Sequence, residues 1–225
     1  MTPAPPVDTI DLLHRARGLA GRTVAEIALS LGLAVPELGT RGKGRIGNLV
    51  EKALGATAGS AAAPDFPHLG IELKTIPVDG SGRPLESTFV CTISLGDADT
   101  TSWETSLVRA KLAHVLWLPI VTARGRPAAE RRVGTPLLWQ PTADQEAILR
   151  ADFDDIMGRI GVGGVEGLTA RAGRWLQVRP KARTGRARTW SFGPEGELIA
   201  TVPRGFYLRA RFTQALLRDP SAVPA

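Results

Sequence analysis

The chain is poor in the residues that build disulfide and zinc frameworks. Among 225 residues there is one cysteine, Cys91, and there are three histidines, His14, His68 and His114. One cysteine excludes an intrachain disulfide and fits a reducing cytoplasm. Cys91 lies in the strand-like run Thr88-Phe89-Val90-Cys91-Thr92-Ile93 and reads as a small core residue. The scattered histidines and lone cysteine are too few for a zinc site. No apolar run approaches the length of a membrane span. The start, Met1-Thr2-Pro3-Ala4-Pro5-Pro6, has neither the basic nor the apolar region of a signal peptide. The expectation is a cytoplasmic protein with no membrane partner.

A further absence is local. From Gly167 to Pro194 there is no acidic residue. The same window holds Arg171, Arg174, Arg179, Lys181, Arg183, Arg186 and Arg188, with Trp175 and Trp190 interleaved. Over the whole chain, 28 basic residues outnumber 22 acidic ones, for a formal charge of +6. An excess segregated in this way points to a polyanion, and a DNA-facing surface needs such a segment. A plain solvated loop is the weaker reading, because clustered cations repel one another without a partner.

The rest of the chain alternates helical and strand patterns at ordinary hydrophobic content, enough for one sizeable domain or two small lobes. A helix is expected from about Asp8 to Ala20, with Ile10, Leu13, Ala16 and Ala20 on its inner face. Thr23-Val24-Ala25-Glu26 is a capping box opening a second helix. Gly39 to Gly47 reads as a glycine-rich basic loop suited to phosphates, or as a plain solvated loop. A helix from about Ile46 to Leu54 follows, with Glu51 at the edge of its apolar stripe. Phe89 to Leu95 is a strand expected to pair with the strand at Ile71–Val78. His114 to Val121 is nearly all apolar, as for a strand buried on both faces. Thr142-Ala143-Asp144-Gln145 opens the clearest helix, with Leu149, Phe153, Ile156 and Ile160 at helical spacing. A hairpin is expected around Ala172-Gly173, then a last strand at Pro203–Arg209 and a terminal helix at Phe212–Leu217.

The chemistry concentrates in Asp65-Phe66-Pro67-His68-Leu69-Gly70-Ile71-Glu72-Leu73-Lys74. Alternation along the strand points Ile71 and Leu73 one way and Glu72 and Lys74 the other. Asp65 sits in a proline-flanked bend that can turn its carboxylate back toward Glu72. Two hard carboxylates and a lysine suit Mg²⁺-assisted hydrolysis of a phosphodiester. The carboxylates hold the ion, and the lysine places a compact charge at the phosphate. A solvated Glu-x-Lys face is the ordinary alternative, but charges in an apolar strand need a reason.

Longer blocks then carry a resemblance. Ile71-Glu72-Leu73-Lys74-Thr75-Ile76-Pro77-Val78, Gly82-Arg83-Pro84-Leu85-Glu86, Thr88-Phe89-Val90-Cys91, Trp103-Glu104-Thr105-Ser106, Val115-Leu116-Trp117, Arg131-Arg132-Val133-Gly134, Arg179-Pro180-Lys181 and Pro203-Arg204-Gly205-Phe206-Tyr207-Leu208 together resemble the MutH family of DNA mismatch repair endonucleases. The resemblance implies a restriction-endonuclease-like α/β fold, with a mixed central sheet flanked by helices and two arms around a DNA cleft. It implies one endonuclease domain over 1–225. Its two sub-lobes would be roughly 1–100, with the catalytic motif, and 101–225, with the recognition segments. It implies Mg²⁺-dependent nicking of the unmethylated strand at hemimethylated GATC sites, and activation by the mismatch repair ATPase MutL.

By position, the resemblance makes Asp65, Glu72 and Lys74 catalytic, with Asp65, Glu72 and the Leu73 carbonyl as metal ligands. Glu51 and Lys111 fall at auxiliary active-site positions. Lys43 and Gly44 match a DNA-contacting loop, and Phe89, Arg179, Lys181 and Tyr207 match positions near the recognised bases. One catalytic trio per chain makes one nick per monomer, and a monomer is expected. Two alternatives stay open: a related GATC restriction endonuclease cutting both strands, and a DNA-binding module of the same fold without catalysis.

Overall fold

A computed structural model describes residues 3–35, 43–59, 62–123, 125–182, 184 and 186–224. The chain divides into two compact units, 1–86 with 113–140, and 87–112 with 141–225. They are therefore not the successive halves 1–100 and 101–225. The reason lies in the strand order. Strand β1 (Glu72–Val78) pairs in parallel with β3 (Val115–Val121), from Glu72↔Val115 to Val78↔Val121. Parallel neighbours need a long crossover, and this one includes residues 87–112 of the other unit.

In the first unit, β3 is central. It pairs with β1 on one side and antiparallel with β4 (Arg132–Val133) and β5 (Leu137–Trp139). Its four leading residues are buried, as an all-apolar strand should be. Helices α1 (Thr9–Leu19), α2 (Val24–Ser30) and α3 (Lys43–Leu54) supply one shared core with the sheet. Leu12, Ala16, Ile27, Val50 and Leu54 join Ile71, Leu73, Leu116 and Leu118 there. The expected inner face of α1 is corrected. The buried residues are Leu12, Ala16 and Leu19, while Ile10 is 79% exposed. Spacings of four and three keep 12, 16 and 19 on one stripe. The capping box at Thr23 and Glu26 forms as expected.

Helix α3 starts at Lys43, so Lys43 to Gly47 are helical rather than loop. Buried Ile46, Leu49, Val50 and Leu54 draw this segment into the core, which outweighs the low helix propensity of Gly44 and Gly47. The Gly39–Gly42 part of the expected loop lies outside the described residues.

In the second unit, β2 (Thr88–Thr92), β9 (Arg204–Leu208) and β6 (Leu176–Pro180) form an antiparallel sheet in the order β2-β9-β6. Strand β2 thus pairs with β9 and not with β1. Its buried Val90 and Cys91 join this unit's apolar face. The expected strand through Leu95 ends at Thr92. Helix α5 (Ala143–Gly161) carries the predicted capping box and buries Leu149, Phe153, Ile156 and Ile160. Phe153 packs on Trp103 and on Phe206 of β9.

No hairpin forms around Ala172-Gly173. Asp152 of α5 instead accepts the N–H groups of Arg174, Trp175 and Leu176 at 2.6–2.8 Å, fixing the turn that leads into β6. Trp175 is buried and stacks on Phe212 of α6 (Ala210–Arg218) at 4.4 Å, so it is a core residue and not part of a basic surface. A hairpin that the sequence pattern does not announce joins β7 (Thr189–Phe192) to β8 (Leu198–Thr201), and there Trp190 is exposed. Short α4 (Leu107–Leu112) packs near β2.

Candidate active site

Asp65 enters through a closed bend. Phe66 and Ile71 bond each other's backbone in both directions, and Gly70 takes φ +65° to close the turn. Phe66, fully buried, anchors the bend in the core. The Asp65 carboxylate is thereby brought to β1, where it accepts the Leu73 N–H at 2.8 Å.

The edge of β1 explains why that N–H is available. Glu72 N–H donates to the His114 carbonyl, so Glu72 bonds toward β3. Alternate residues bond the other way. The Ile71 carbonyl receives Phe66 N–H, Leu73 N–H goes to Asp65, and the Pro77 carbonyl receives Leu85 N–H. In an extended strand, a residue's N–H and C=O point to the same side. The Leu73 carbonyl therefore shares an edge with the Asp65 carboxylate.

Glu72 and Lys74 project from the sheet face opposite Leu73, beside Val115 and Trp117 of β3. Those neighbours are fully buried, and Glu72 is only 2% exposed. Lys74 Nζ meets Glu72 Oε1 at 2.5 Å. The pair is the opposite of a solvated Glu-x-Lys face. Glu51, half-buried on α3, lies close to β1. A Cβ placed on Gly47 would stand 3.6 Å from Thr75 Oγ1 and 3.9 Å from Glu51 Oε1.

Asp65, Glu72, Lys74 and Glu51 all belong to the first unit, whereas Lys111, on the last turn of α4, belongs to the second. Among the described residues no group of three His, Cys, Asp or Glu side chains is arranged to hold a metal. Mg²⁺ does not demand one. It keeps several waters and is commonly held through one or two carboxylates. Asp65 and Glu72, with the Leu73 carbonyl, are all hard oxygen donors, and that set fits Mg²⁺.

A second cluster forms on the β2-β9-β6 sheet. Cross-strand register places Phe89 opposite Tyr207 and Tyr207 opposite Gln177. Alternation then brings Arg179 and Lys181 to the same face. Phe89 and Tyr207 meet edge to face at 5.2 Å, and Lys181 Nζ lies 3.9 Å above the Phe89 ring. Gly205 keeps that face open. A Cβ there would stand 2.9 Å from Phe89 Cε2 and 3.0 Å from the Cys91 carbonyl. All four residues expected near bases thus gather on one surface. Gln177, which was not among the expected site residues, is buried beneath it. It accepts from Arg179 Nε at 3.3 Å and donates to Ser87 Oγ at 2.7 Å. Its signal was its place between Leu176 and Val178, in phase with Arg179 and Lys181. Gly44 is exposed in the first turn of α3, beside Lys43 in sequence. Arg183 lies outside the described residues.

A family model described as the DNA mismatch repair enzyme MutH matches residues 54–152. The DNA mismatch repair protein MutH of Shewanella amazonensis is 51% identical over 218 residues, 97% of this chain and 97% of the relative. The chain belongs to the MutH family. MutH proteins of Salmonella paratyphi A and Escherichia coli K12 are similar to it at 52% and 51% identity, each over 93% of the relative. The MutH match at 54–152 includes Asp65, Glu72, Lys74, Phe89 and Lys111. The long relatives also cover nearly the whole chain, including the β6 and β9 segments. The observed mixed α/β architecture agrees with the family's fold class.

Proposed function

We propose that this protein is the strand-nicking endonuclease of mismatch repair, cutting the unmethylated strand at hemimethylated GATC sites with Mg²⁺. The reading includes activation by the ATPase MutL, a monomer that grips duplex DNA in a two-armed fold, and a cytoplasmic location. Among the described residues no helix is long and apolar enough to cross a membrane. The observation that carries the proposal is the anchoring of Asp65 on Leu73 N–H, beside the buried Glu72–Lys74 pair.

Asp65, Glu72 and the Leu73 carbonyl would hold Mg²⁺. Bound there, the ion would polarise a phosphoryl oxygen and lower the pKa of a bound water. Lys74 places its ammonium where negative charge grows on the phosphoryl group, which favours the transition state over the ground state. Glu72 orients Lys74 for that role. Glu51 and Lys111 take the auxiliary roles that the resemblance assigns, and Lys43 and Gly44 take backbone contacts. Phe89, Arg179, Lys181 and Tyr207 would read base edges. Arg and Lys suit guanine, and an aromatic hydroxyl suits the adenine amine.

The test is nicking of supercoiled DNA carrying unmethylated, hemimethylated or fully methylated GATC, with and without Mg²⁺. Single nicks in the unmethylated strand, only with Mg²⁺, support the proposal. Concerted double-strand cuts would favour a restriction enzyme. Binding without any cut would leave a DNA-binding module.

A further inference from the structure

A cleft of about 440 Å³ opens in the second unit beside the base-reading face. Arg171, Arg179, Arg209 and Arg211 line it, together with Ser87 and the buried Gln177. Three of these cations are near enough to disturb one another. Burial first, then Arg211 and Arg179, push the Arg209 guanidinium below its ordinary value, while Asp152 pulls the other way. Asp152 offsets the cluster only in part: it is one carboxylate against four arginines, and its two oxygens accept the N–H groups of residues 174–176.

Two of the cations are held in place by neutral backbone carbonyls. Arg209 Nη2 donates to the carbonyls of Ala172 and Gly173 at 3.1 and 2.9 Å. Arg211 Nη2 donates to the Arg174 carbonyl at 3.0 Å. Among the described residues Arg209 Nε is buried without a hydrogen-bond partner. The same cleft receives the start of α6. Ala210 and Arg211 are its first residues, and its N-cap, Arg209, supplies no side-chain acceptor. The leading N–H groups of a helix seek an acceptor, and the helix dipole favours an anion there. A fixed cluster of cations at an uncapped helix start is a seat for one compact oxyanion.

We propose that this cleft seats one backbone phosphate of bound DNA, next to the bases that Phe89, Arg179, Lys181 and Tyr207 read. The inference rests on the proposed nuclease function. Phosphate contacts fix register and orientation without reading sequence. Arg179 lines both surfaces, so a phosphate seated here sets the distance from the backbone to the base-reading side chains. Arg209 and Arg211 act as positioning residues for base recognition.

The experiment measures DNA affinity against salt for wild type and for an Arg171→Ala, Arg211→Ala double variant. Duplexes carrying a neutral methylphosphonate at one linkage at a time are included. The log–log salt slope should flatten by about one unit for each phosphate the variant no longer holds. One linkage should also stand out, its neutralisation weakening wild type but not the variant. An unchanged slope, with every neutral linkage equally harmful to both proteins, overturns the proposal. Loss of orthophosphate protection against unfolding, with DNA binding intact, also overturns it and leaves a small-anion site only. If the double variant does not fold, Arg171→Ala alone, on an exposed side chain, carries the same test. Wild-type protein that binds DNA but never cuts it would sink the nuclease reading. The cleft would then still be judged by its slope and its coupled linkage.

Discussion

The Glu72–Lys74 pair illustrates how burial converts an ordinary pattern into a chemical one. Its two charges lie beside fully buried Val115 and Trp117, where an unpaired charge is costly. Lys74→Ala takes the ammonium away from the buried Glu72 carboxylate. It should destabilise the protein by about 3–5 kcal/mol, read by urea unfolding, and slow nicking by a factor on the order of 10² or more. Lys74→Met keeps the stem but not the charge and should lose rate equally. A variant without the Lys74 ammonium that cuts near the wild-type rate would remove Lys74 from the chemistry. Asp65 allows its scaffold role to be separated from the proposed metal role. Asp65→Asn retains an oxygen for Leu73 N–H, so it should fold like wild type yet lose Mg²⁺-dependent cutting. Asp65→Ala should lose cutting and a further ~1 kcal/mol of stability.

A pH effect also belongs to one side chain. Burial holds half-buried His114 below its ordinary value of 6.5. Above that value the ring is neutral whether folded or unfolded, so its contribution to stability is complete. As pH falls below 6.5 the unfolded chain takes the proton first, and stability is lost until the folded ring also titrates. The wild-type unfolding midpoint should therefore drop on acidification from about pH 7 to about pH 5. His114→Gln should flatten that drop, and parallel wild-type and variant curves would show that His114 does not contribute to it. Because the His114 carbonyl receives Glu72 N–H, the comparison also reports on the start of β1.

At the scale of elements, the sequence was most legible where one period dominated. The 149, 153, 156 and 160 spacing defined α5, and the all-apolar run at Val115 defined β3. The Asp65 bend was also readable, from the prolines at 64 and 67 that flank it. Pairing was less legible. Nothing local in Thr88–Thr92 distinguishes β9 from β1 as its partner, since that choice is made by the core to which Val90 and Cys91 are added. The turn at Ala172-Gly173 looked like a hairpin because its real partner, Asp152, lies 22 residues away from Arg174. Asp152→Ala should leave three N–H groups at the start of β6 without their acceptor and cost about 2–5 kcal/mol. Amide exchange at Trp175 and Leu176 should accelerate with it. Slow exchange retained at both amides would show that the turn holds without the carboxylate. Gly205→Ala tests the same sheet from β9. The new methyl meets the Cys91 carbonyl, which cannot yield without moving β2, so a cost of about 1–3 kcal/mol is expected.

For the whole molecule, the two proposed kinds of work draw mainly on different units, with Lys111 the exception. Asp65, Glu72 and Lys74 stand in the first unit, and Phe89, Arg179, Lys181 and Tyr207 stand in the second. The chain changes unit at 86/87, 112/113 and 140/141, so neither unit is one continuous segment. This follows from building β1 and β3 in parallel with a crossover between them, and it explains why a simple division near residue 100 does not describe the molecule. Charge follows a similar logic. The acid-free window contributes exposed Arg171, Arg179 and Lys181, while Trp175 from the same window goes inward.

That separation gives a final prediction about methylation. An N6-methyl removes one donor hydrogen from adenine and adds bulk in the major groove. Tyr207, half-buried between Phe89 and Gln177, is supported on both sides in the sheet, so its ring is held by its cross-strand neighbours. A site built to bond or pack against that amine rejects the methylated form by clash or by leaving a polar group unpaired. Tyr207→Phe keeps the ring and its packing on Phe89 but removes the hydroxyl. It should narrow the difference in nicking rate between unmethylated and fully methylated GATC more than it lowers affinity. Phe89→Ala should narrow it too, by releasing Tyr207 and Lys181 together. Asp65, Glu72 and Lys74 lie in the other unit and are untouched in both variants, so unmethylated sites should still be cut with Mg²⁺. If the gap is unchanged in both, methylation is sensed elsewhere, with Arg179, Lys181 and the backbone around them the next candidates, and single substitutions at Arg179 and Lys181 become the deciding measurement.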